Sequence, residues 1–315
     1  MTEILTLGEV LIDLTQTGTD ENGISRFAAF PGGAPANVAV AASRLGAKTG
    51  FIGKVGRDSF GAHLRKILED DRVDTSCLFE AEDVPTTLAI VSVDDSGERS
   101  FAFYRNPGAD TQLTSEEATA FLSGSQEVGG LPKILHFGSL SLTTEPSRSA
   151  ALTAVREAKA KGILISYDPN YREALWKSEE EAVEWMKAPL EMVDILKISD
   201  EELVLLTGSD EPEKGSILLA GYGIGLVLVT LGSKGVFYRL GDICGSVPAV
   251  TVKVCDTNGA GDTFLGAVLS RIAETDTLQK DELEDILAFA NRAAAVTCSR
   301  AGAIPAMPTL AELGE

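Results

Sequence analysis

Residues 194–232, DILKISDEELVLLTGSDEPEKGSILLAGYGIGLVLVTLG, contain the pattern that decides the fold class. Two apolar runs, at 194–199 and 225–232, read as buried strands, and the segment 200–207 between them has a helix-forming composition. Continuous apolar runs are typical of parallel strands, because helices cover both faces of a parallel sheet. This stretch therefore predicts a strand-helix-strand unit.

The same alternation extends towards the N-terminus. Residues 133–138 and 163–168 read as further buried strands, and residues 145–161 and 178–189 have helical spacing or helix-forming composition. Repetition of the unit predicts an α/β fold, with a doubly wound, mainly parallel sheet flanked by helices. Since no repeat, low-complexity tract or Pro-rich linker divides the chain, we expect one α/β domain over residues 1–315.

Two separate segments, around 10–30 and 86–105, alternate apolar and polar residues instead. The turn signal Asp95-Ser96-Gly97 interrupts the second segment, as expected for a hairpin. We therefore expect a small antiparallel sheet, inserted from about residues 10–31 and 84–108, that lies over the ligand cleft as a lid. Four apolar residues would share one face of this lid: Val91, Val93, Phe101 and Phe103.

The chain has 315 residues and an acidic charge balance. Its 27 Lys and Arg residues and 47 Asp and Glu residues give a net charge of −20. Because this charge repels nucleic-acid backbones and anionic membranes, neither is an expected partner. Anionic ligands would need local attraction, from helix N-termini, Mg²⁺ and a few arginines.

Targeting and redox signals are weak in this sequence. No apolar run approaches the ~20 residues that cross a bilayer, and the first residues lack the basic start of a signal peptide, so we expect a cytoplasmic protein. The four cysteines include no CxxC pair and there are two histidines, so neither a disulfide framework nor a zinc site is expected.

Residues 256–264, DTNGAGDTF, form the motif with the clearest chemical meaning. Small residues that open a helix leave its backbone N–H groups accessible to an anion, and the helix dipole favours negative charge there. Asp262, in the first turn, could then deprotonate an alcohol beside a transferring phosphoryl group. Taken alone, the motif fits equally well a plain helix start in which Asp262 complements the dipole.

A second motif lies at residues 31–39, PGGAPANVA, ahead of an Ala-rich helix. Gly32 and Gly33 allow a ligand to approach the backbone, and Asn37 offers a donor and an acceptor for sugar hydroxyls. Asp13, on the first strand of the small sheet, is a further acceptor. The alternative is a tight turn with Asn37 as a helix cap.

Taken together, these residues resemble the PfkB, or ribokinase-like, carbohydrate kinases over nearly the whole chain. The motif at residues 256–264 is similar to the C-terminal signature of that family. The N-terminal signature is matched by Gly32-Gly33 with Asn37, Gly46 and Gly56. Within the family, residues 103–110, 166–170 and 197–203 are most similar to fructokinases. The resemblance implies a ribokinase-like fold and ATP-dependent phosphorylation of D-fructose at O6.

The resemblance also implies roles for individual residues. Asp262 matches the catalytic base, and Gly259, Ala260 and Gly261 match the anion hole. The expected substrate-binding residues are Asp13, Gly32, Gly33, Asn37, Phe103, Arg105 and Arg172. The expected nucleotide-binding residues are Asn170, Ser199, Thr230, Gly232, Gly235, Asn258, Gly261 and Asn291.

Arg105 and Arg172 are included because arginines near an anionic site are informative in so acidic a chain. We expect Arg105 to reach from the lid towards the sugar or the phosphate, and Arg172 to lie at the edge of the cleft. The alternative is that either one is a surface arginine paired with an acid.

Cations and a second subunit are further implications of the resemblance. Glu202 matches an acid that organises Mg²⁺ through water, although Ser199 stands where the family usually has Asn. Asp256 matches a residue that holds a monovalent cation, so K⁺ is implied beside ATP and Mg²⁺. Because the lid often makes a dimer contact in relatives, a homodimer through the lid is expected.

Other functions stay open at this point. A 2-keto-3-deoxygluconate kinase would share both arginines, and a ribokinase or another sugar kinase of the family would share the anion hole. From a different class, the chain could be a non-catalytic relative that binds a sugar. Retention of Asp262, the small-residue helix start and Glu202 argues against the last possibility.

Overall fold

Thirteen strands form two sheets in the part of the chain that the computed structural model describes, which is residues 2–93, 99–128, 130–275 and 277–314. The strands are β1 (Ile4–Leu7), β2 (Leu11–Thr19), β3 (Ser25–Gly32), β4 (Thr49–Gly56), β5 (Asp74–Ala81), β6 (Leu88–Val93), β7 (Arg99–Tyr104), β8 (Ile134–Gly138), β9 (Leu164–Asp168), β10 (Ile195–Ser199), β11 (Leu226–Thr230), β12 (Val236–Leu240) and β13 (Ile243–Val247). The α-helices are α1 (Ala34–Arg44), α2 (Ser59–Asp70), α3 (Ser115–Val128), α4 (Ser147–Ala160), α5 (Glu179–Lys187), α6 (Asp200–Thr207), α7 (Pro212–Ala220), α8 (Ala260–Ile272) and α9 (Lys280–Cys298).

The larger sheet has the strand order β13-β12-β11-β10-β9-β8-β1-β4-β5. All neighbours from β5 to β11 are parallel, and β12 and β13 add an antiparallel edge. From β1 the strand order continues to β4 and β5, and from β8 it continues in the opposite direction to β9, β10 and β11. The carboxyl ends of β1 and β8 are thus the switch point at which a doubly wound sheet opens a ligand crevice. The predicted fold class is confirmed.

The elements predicted from apolar runs are present with nearly the predicted bounds. The four predicted strands are β8, β9, β10 and β11, and the three predicted helices are α4, α5 and α6. Helix α6 has a local reason to begin at Asp200, because Ser199 and Glu202 form a capping box. It ends at Gly208, whose left-handed conformation suits glycine.

Helices cover both faces of the larger sheet, because successive strand residues point to opposite sides. Leu5 and Leu135 pack on the face covered by α3 to α7. Ile4 and Ile134 pack on the opposite face with α1, α8 and α9. The crevice at the strand ends therefore lies between two helical layers. Among the described residues no helix is both long enough and apolar enough to span a membrane.

The smaller sheet has the order β3-β2-β6-β7 and confirms the prediction of a separate small sheet. Its two hairpins, β2/β3 and β6/β7, are antiparallel, and a parallel β2/β6 pair joins them. The predicted turn Asp95-Ser96-Gly97 lies outside the described residues, as do the side chains of Val93 and Phe101. Of the predicted apolar face, Val91 is buried and Phe103 is partly buried.

Candidate active site

Two helices that begin with glycine, α1 and α8, pack together beneath the crevice. Gly33 precedes α1 with a φ of 107°, and Gly259 precedes α8 with a φ of 74°. A Cβ atom at Gly33 would lie 2.4 Å from the carbonyl oxygen of Glu9, and one at Gly259 would lie 2.7 Å from Cβ of Ala303. Both positions require glycine, because the backbone conformation and the close packing each exclude a side chain. Gly33 is therefore explained by packing against the residues that follow β1.

Asp262 lies in the first turn of α8 and lines a cavity of about 580 Å³. Its Oδ2 accepts a 2.8 Å hydrogen bond from Nδ2 of Asn37, in the first turn of α1. Burial raises the pKa of Asp262 to about 6, and the charge of Asp168 adds to the rise. The Asn37 hydrogen bond and the positive charges of Lys197 and Arg172 oppose it. Asp262 is thus mostly ionised at neutral pH and basic enough to accept a proton.

The residues of the predicted anion hole directly precede Asp262 at the start of α8. The first internal hydrogen bond of α8 runs from the Thr263 amide to the carbonyl oxygen of Gly259, at 2.8 Å. The amides of Gly261 and Asp262 therefore lie outside the internal ladder of the helix, and the Ala260 amide makes only a long 3.3 Å bond to Thr257. Amides at a helix start, combined with its dipole, suit an anion such as a phosphate.

A buried ion pair borders this helix start. Nζ of Lys197, in β10, lies 2.8 Å from Oδ2 of Asp168, at the end of β9. Burial disfavours the charged ammonium, but Asp168, Glu202 and Asp262 outweigh burial and raise the pKa of Lys197. A Cβ atom at Gly261 would lie 3.2 Å from Nζ, so the ammonium sits directly against the anion hole.

The sequence predictions did not include Lys197 and Asp168 among the site residues. The available signal was a lysine inside an otherwise apolar strand, ILKIS, and an aspartate that ends another, LISYD. A charged side chain is rarely buried unless it is paired, so either residue pointed to the other or to a ligand.

The small sheet contributes Asp13 to the same cavity region. Gly32 makes room for this side chain, because a Cβ atom there would lie 2.5 Å from Oδ2 of Asp13. Burial raises the pKa of Asp13 to about 6, whereas Arg172 and a hydrogen bond from Asn258 lower it. Arg172 is exposed and lines the cavity, and its Nη1 donates to the carbonyl oxygen of Tyr171. The structure thus brings Asp13, Arg172 and Asn258 together beside Asp262.

A second cavity, of about 450 Å³, lies on the other side of the α8 N-terminus. It contains the predicted nucleotide residues Thr230, Gly232, Gly235 and Asn291. The remaining walls are mostly small or apolar side chains: Ala249, Val250, Val252, Val254, Phe264, Ala294 and Ala295. The amide of Asn291 donates to the carbonyl oxygens of Val247 and Pro248, so it holds the wall in place. A slot of this composition fits a flat aromatic ring such as a purine.

The two predicted cation residues each accept hydrogen bonds from two backbone amides. Oε1 of Glu202 accepts from the Tyr171 amide at 2.7 Å, and Oε2 accepts from the Ser199 amide at 2.8 Å. Oδ1 of Asp256 accepts from the Asn258 amide, and Oδ2 accepts from the Gly302 amide at 3.2 Å. Asn170, which has a φ of 48°, lines both the cavity that contains Glu202 and the cavity that contains Asp262.

Two predicted substrate residues, Phe103 and Arg105, line a different cavity from the one that Asp262 lines. The guanidinium of Arg105 is buried and donates to Asp110, Thr143 and the carbonyl oxygen of Leu140, at 2.7 to 2.9 Å. Each of the three nitrogens donates to a protein partner, so the side chain is paired with an acid, although it is not at the surface. The contact of Arg105 with the sugar or the phosphate stays a prediction.

Comparison with known proteins gives concordant results. Residues 1–310 match the profile of the pfkB family carbohydrate kinases. A probable fructokinase-2 from Arabidopsis thaliana is 43% identical over 311 residues, which cover 97% of this chain and 93% of that protein.

Solved structures are similar over the same length. A fructokinase from Xylella fastidiosa with bound ATP superposes with a TM-score of 0.89 at 33% identity, over 99% of this chain and 96% of that one. A fructokinase double mutant from Vibrio cholerae O395, bound to fructose, ADP and potassium ion, has a TM-score of 0.88 at 33% identity, over 100% of this chain and 97% of that one.

Proposed function

This chain belongs to the pfkB family of carbohydrate kinases, and on that premise we propose that it transfers the terminal phosphoryl group of ATP to O6 of D-fructose. The arrangement of Asn37 and Asp262 carries the proposal. The Asn37 amide donates to the Asp262 carboxylate, and its own Oδ1 is buried with no partner among the described residues. A buried acceptor without a donor is costly, and a sugar hydroxyl beside Asp262 would supply that donor.

Asp262 acts as the general base in this proposal. Its ionised form would accept the proton of the attacking hydroxyl as the bond from that oxygen to the γ-phosphorus forms and the bond from the γ-phosphorus to ADP breaks. The hydrogen bond from Asn37 to Oδ2 helps to fix the orientation of the carboxylate. Oδ1 is the proposed acceptor of the hydroxyl proton.

The start of α8 and Lys197 would stabilise the charge on the transferring phosphoryl group. The amides of Gly261 and Asp262 would supply hydrogen bonds along a helix dipole, and the Lys197 ammonium, paired with Asp168, would add a further donor at the same point. These groups are held in place before the reaction, since Lys197 is buried and fixed by Asp168. The overall charge of −20 makes such local positive charge necessary for an anionic donor.

ATP is the proposed phosphoryl donor, and the apolar cavity beside α8 is its proposed base-binding site. Two of the similar solved structures hold ATP or ADP. The cavity contains Gly235, where a Cβ atom would lie 2.1 Å from the carbonyl oxygen of Val247, so this turn keeps its shape only with glycine. Thr230 is tied to the carbonyl oxygen of Ile198, which places its hydroxyl at the cavity wall.

Mg²⁺ is proposed to arrive with the phosphates of ATP. Among the described residues no group of three or more His, Cys, Asp or Glu side chains is placed to hold a metal ion. Mg²⁺ does not need such a group, because it usually retains water and phosphate ligands and binds one or two protein carboxylates at most. Glu202 would hold it through water, because two backbone amides occupy its oxygens. Mg²⁺ would neutralise phosphate charge when bound.

K⁺ is proposed to bind near Asp256, which lines the same cavity as Asp262. Asp256 bridges the loop before α8 to the backbone of Gly302, so a cation held there would tie two loops together. The Vibrio cholerae relative holds a potassium ion. Activation by K⁺ over Na⁺ that disappears in Asp256→Ala would support this site.

The small sheet is proposed to act as a lid on this single α/β domain. Thr15, Thr17, Phe30 and Val91 line the same cavity as Asp262, so the sheet forms one wall of the proposed sugar site. A lid that closes would keep water from the phosphoryl group. Exposed apolar residues on its strands and turns, Ile24, Phe27 and Tyr104, support a homodimer through the lid. The proposed location is the cytoplasm.

Fructose is proposed as the acceptor because similar proteins named fructokinase are found both by sequence and by structure. The decisive experiment measures ADP release with MgATP and K⁺ for fructose, 2-keto-3-deoxygluconate, ribose and glucose, with ³¹P NMR to identify the product. Preferential turnover of fructose to a 6-phosphate is expected. Turnover on the keto acid alone would replace the substrate and keep the mechanism.

Asp262→Asn is the matched test of the base, with Asp242→Asn at an exposed turn as its control. We expect Asp262→Asn to lower kcat by about 10² to 10⁴-fold while sugar binding persists, since a general base contributes about that much. Asp242→Asn should retain normal turnover. Sugar binding by the unaltered protein without any ADP release would instead indicate a non-catalytic sugar-binding protein.

A further inference from the structure

Glu9 is a buried acid at the switch point of the sheet that the proposed reaction does not use. It follows β1, is 2% exposed, and accepts the Ala34 amide at 3.0 Å through Oε1. Its Oε2 is buried with no hydrogen-bond partner among the described residues. An acid in this position, 25 residues from its partner in sequence, needs a physical explanation.

Helix α1 lacks any other side-chain cap. Its N-cap residue is Gly33, which has no side chain, and Pro35 removes one backbone donor from the first turn. The backbone N–H of Asn37 already donates to the carbonyl oxygen of Gly33 at 2.8 Å. Glu9 therefore supplies, from just beyond β1, the cap that Ser, Thr, Asp or Asn would normally supply from the N-cap position.

The contact between the end of β1 and α1 is rigid at this point. A Cβ atom at Gly33 would lie 2.4 Å from the Glu9 carbonyl oxygen, so the two backbones already touch. Asn37 lies one turn beyond the capped amide and holds the Asp262 carboxylate. A change at the Glu9 carboxyl should therefore be transmitted through one helical turn to the proposed base.

Burial, and not the neighbouring charges, gives Glu9 a carboxyl that exchanges a proton near neutral pH. Burial raises the pKa of Glu9 to about 7, and Asp110 adds to the rise, whereas the backbone amides and Arg105 lower it. Oε2 is the oxygen that can carry the proton, because Oε1 accepts from Ala34. The cap persists in both protonation states, since a neutral carboxyl still offers a carbonyl oxygen.

We propose that Glu9 is a positioning residue: its buried carboxyl caps α1 across the switch point and thereby holds Asn37 against Asp262. The role rests on the proposed function, because it acts through the proposed base. It predicts that the ionisation of Asp262 depends on Glu9 even though the two side chains share no hydrogen bond.

The test compares Glu9→Gln, which keeps an acceptor for Ala34, with Glu9→Leu, which keeps bulk but has no acceptor. The first readout is the titration of the Asp262 carboxyl carbon by ¹³C NMR in the protein without sugar or nucleotide. Because the Asn37 hydrogen bond lowers the pKa of Asp262, Glu9→Leu should raise that pKa above about 6, and Glu9→Gln should leave it close to the unaltered value.

The second readout is kinetic. Glu9→Leu is expected to lower kcat about tenfold or more, through misplacement of the base, and to move the acidic limb of the kcat/KM profile to higher pH. Leu219→Ala, which removes buried bulk from α7 in a core cluster that contains no residue of α1, is the control for lost stability and should move neither the limb nor the titration. An unchanged Asp262 titration in Glu9→Leu, or an equal shift in Leu219→Ala, would overturn the proposal. Failure of the unaltered protein to phosphorylate any sugar would refute the proposed function, and the NMR titration would still decide the role of Glu9.

Discussion

Asp262 and Asp13 are two carboxylates at one cleft whose pKa values are both raised to about 6, chiefly by burial. Each must be ionised in the proposed reaction, Asp262 to accept a proton and Asp13 to accept sugar hydroxyls. Two groups that lose activity on protonation produce a steeper acidic limb than one. The cleft therefore predicts how activity falls with pH.

We expect kcat/KM for the sugar to fall below pH of about 6, with a limiting slope approaching two on a logarithmic plot. Asp13→Asn removes one of the two titrations, so its weaker activity should fall with a slope near one. The measurement is the pH profile of kcat/KM for both proteins from about pH 4.5 to 8. A slope of one in the unaltered protein would mean that a single carboxylate governs the limb.

The same burial should make Asp262 costly for stability. Its pKa rises from 3.8 in the unfolded chain to about 6 in the folded protein, so the folded state binds the proton more tightly. The stability linked to that proton is fully present below pH of about 4 and is lost as the pH rises through about 6. At neutral pH the ionised carboxylate thus stands in an environment that disfavours it.

At about pH 7.5 the free energy of unfolding of Asp262→Asn should therefore exceed that of the unaltered protein by about 3 kcal/mol, the linkage value of a shift from 3.8 to about 6. The difference should shrink to near zero below pH of about 4. Urea unfolding at neutral, mildly acidic and acidic pH measures both values. An inactive variant that is less stable at neutral pH would show that Lys197 and Arg172 stabilise the carboxylate more than burial destabilises it.

At the scale of elements, the turn from β3 into α1 concentrates the backbone constraints of the site. Gly33 combines a φ of 107° with a close approach to the Glu9 carbonyl oxygen. Gly18, in β2, has a φ of 134°, but a Cβ atom there would meet no other atom within 4 Å. A side chain at Gly33 would meet both backbone strain and steric overlap, whereas one at Gly18 would meet backbone strain alone.

Gly33→Ala is expected to lower the free energy of unfolding by more than about 2 kcal/mol, because it adds overlap to strain. Gly18→Ala carries the strain alone and should cost only about 1 kcal/mol. Chemical denaturation of both variants gives the comparison. Equal losses would show that the chain after β1 moves away from α1 at little cost.

The elements also show what local sequence can predict. Strands β8 to β11 were predictable because central parallel strands are apolar on both faces. The parallel β2/β6 pair was not, since its partners lie about 75 residues apart and strand pairing over such a distance is set by tertiary packing. The position of Asp262 in the first turn of a helix was predictable from the small residues before it, whereas its proposed role as base was assigned by the family resemblance. Lys197 was missed because its meaning depends on Asp168, in a neighbouring strand, and on Gly261, in a distant helix.

At the scale of the whole molecule, Arg105 joins the small sheet to the larger one. It directly follows β7, and its guanidinium donates to Thr143 and to the Leu140 carbonyl oxygen in the segment after β8. It also pairs with Asp110, whose side chain is only 2% exposed. Thr87 donates to the same carboxylate. These contacts fix the base of the small sheet on the α/β core.

Arg105→Ala would leave the Asp110 carboxylate buried without its ion pair, and we expect a loss of about 3 to 5 kcal/mol in the free energy of unfolding. The double variant Arg105→Met with Asp110→Leu replaces the pair by apolar side chains of similar size, which usually recovers most of such a loss. Urea denaturation and sugar kinetics of both variants form the test. If the arginine only joins the two sheets, the double variant should keep the sugar KM within a few-fold of normal. If Arg105 binds the sugar or the phosphate, the double variant would be folded and stable yet would lose turnover, because restored stability cannot replace a missing ligand contact.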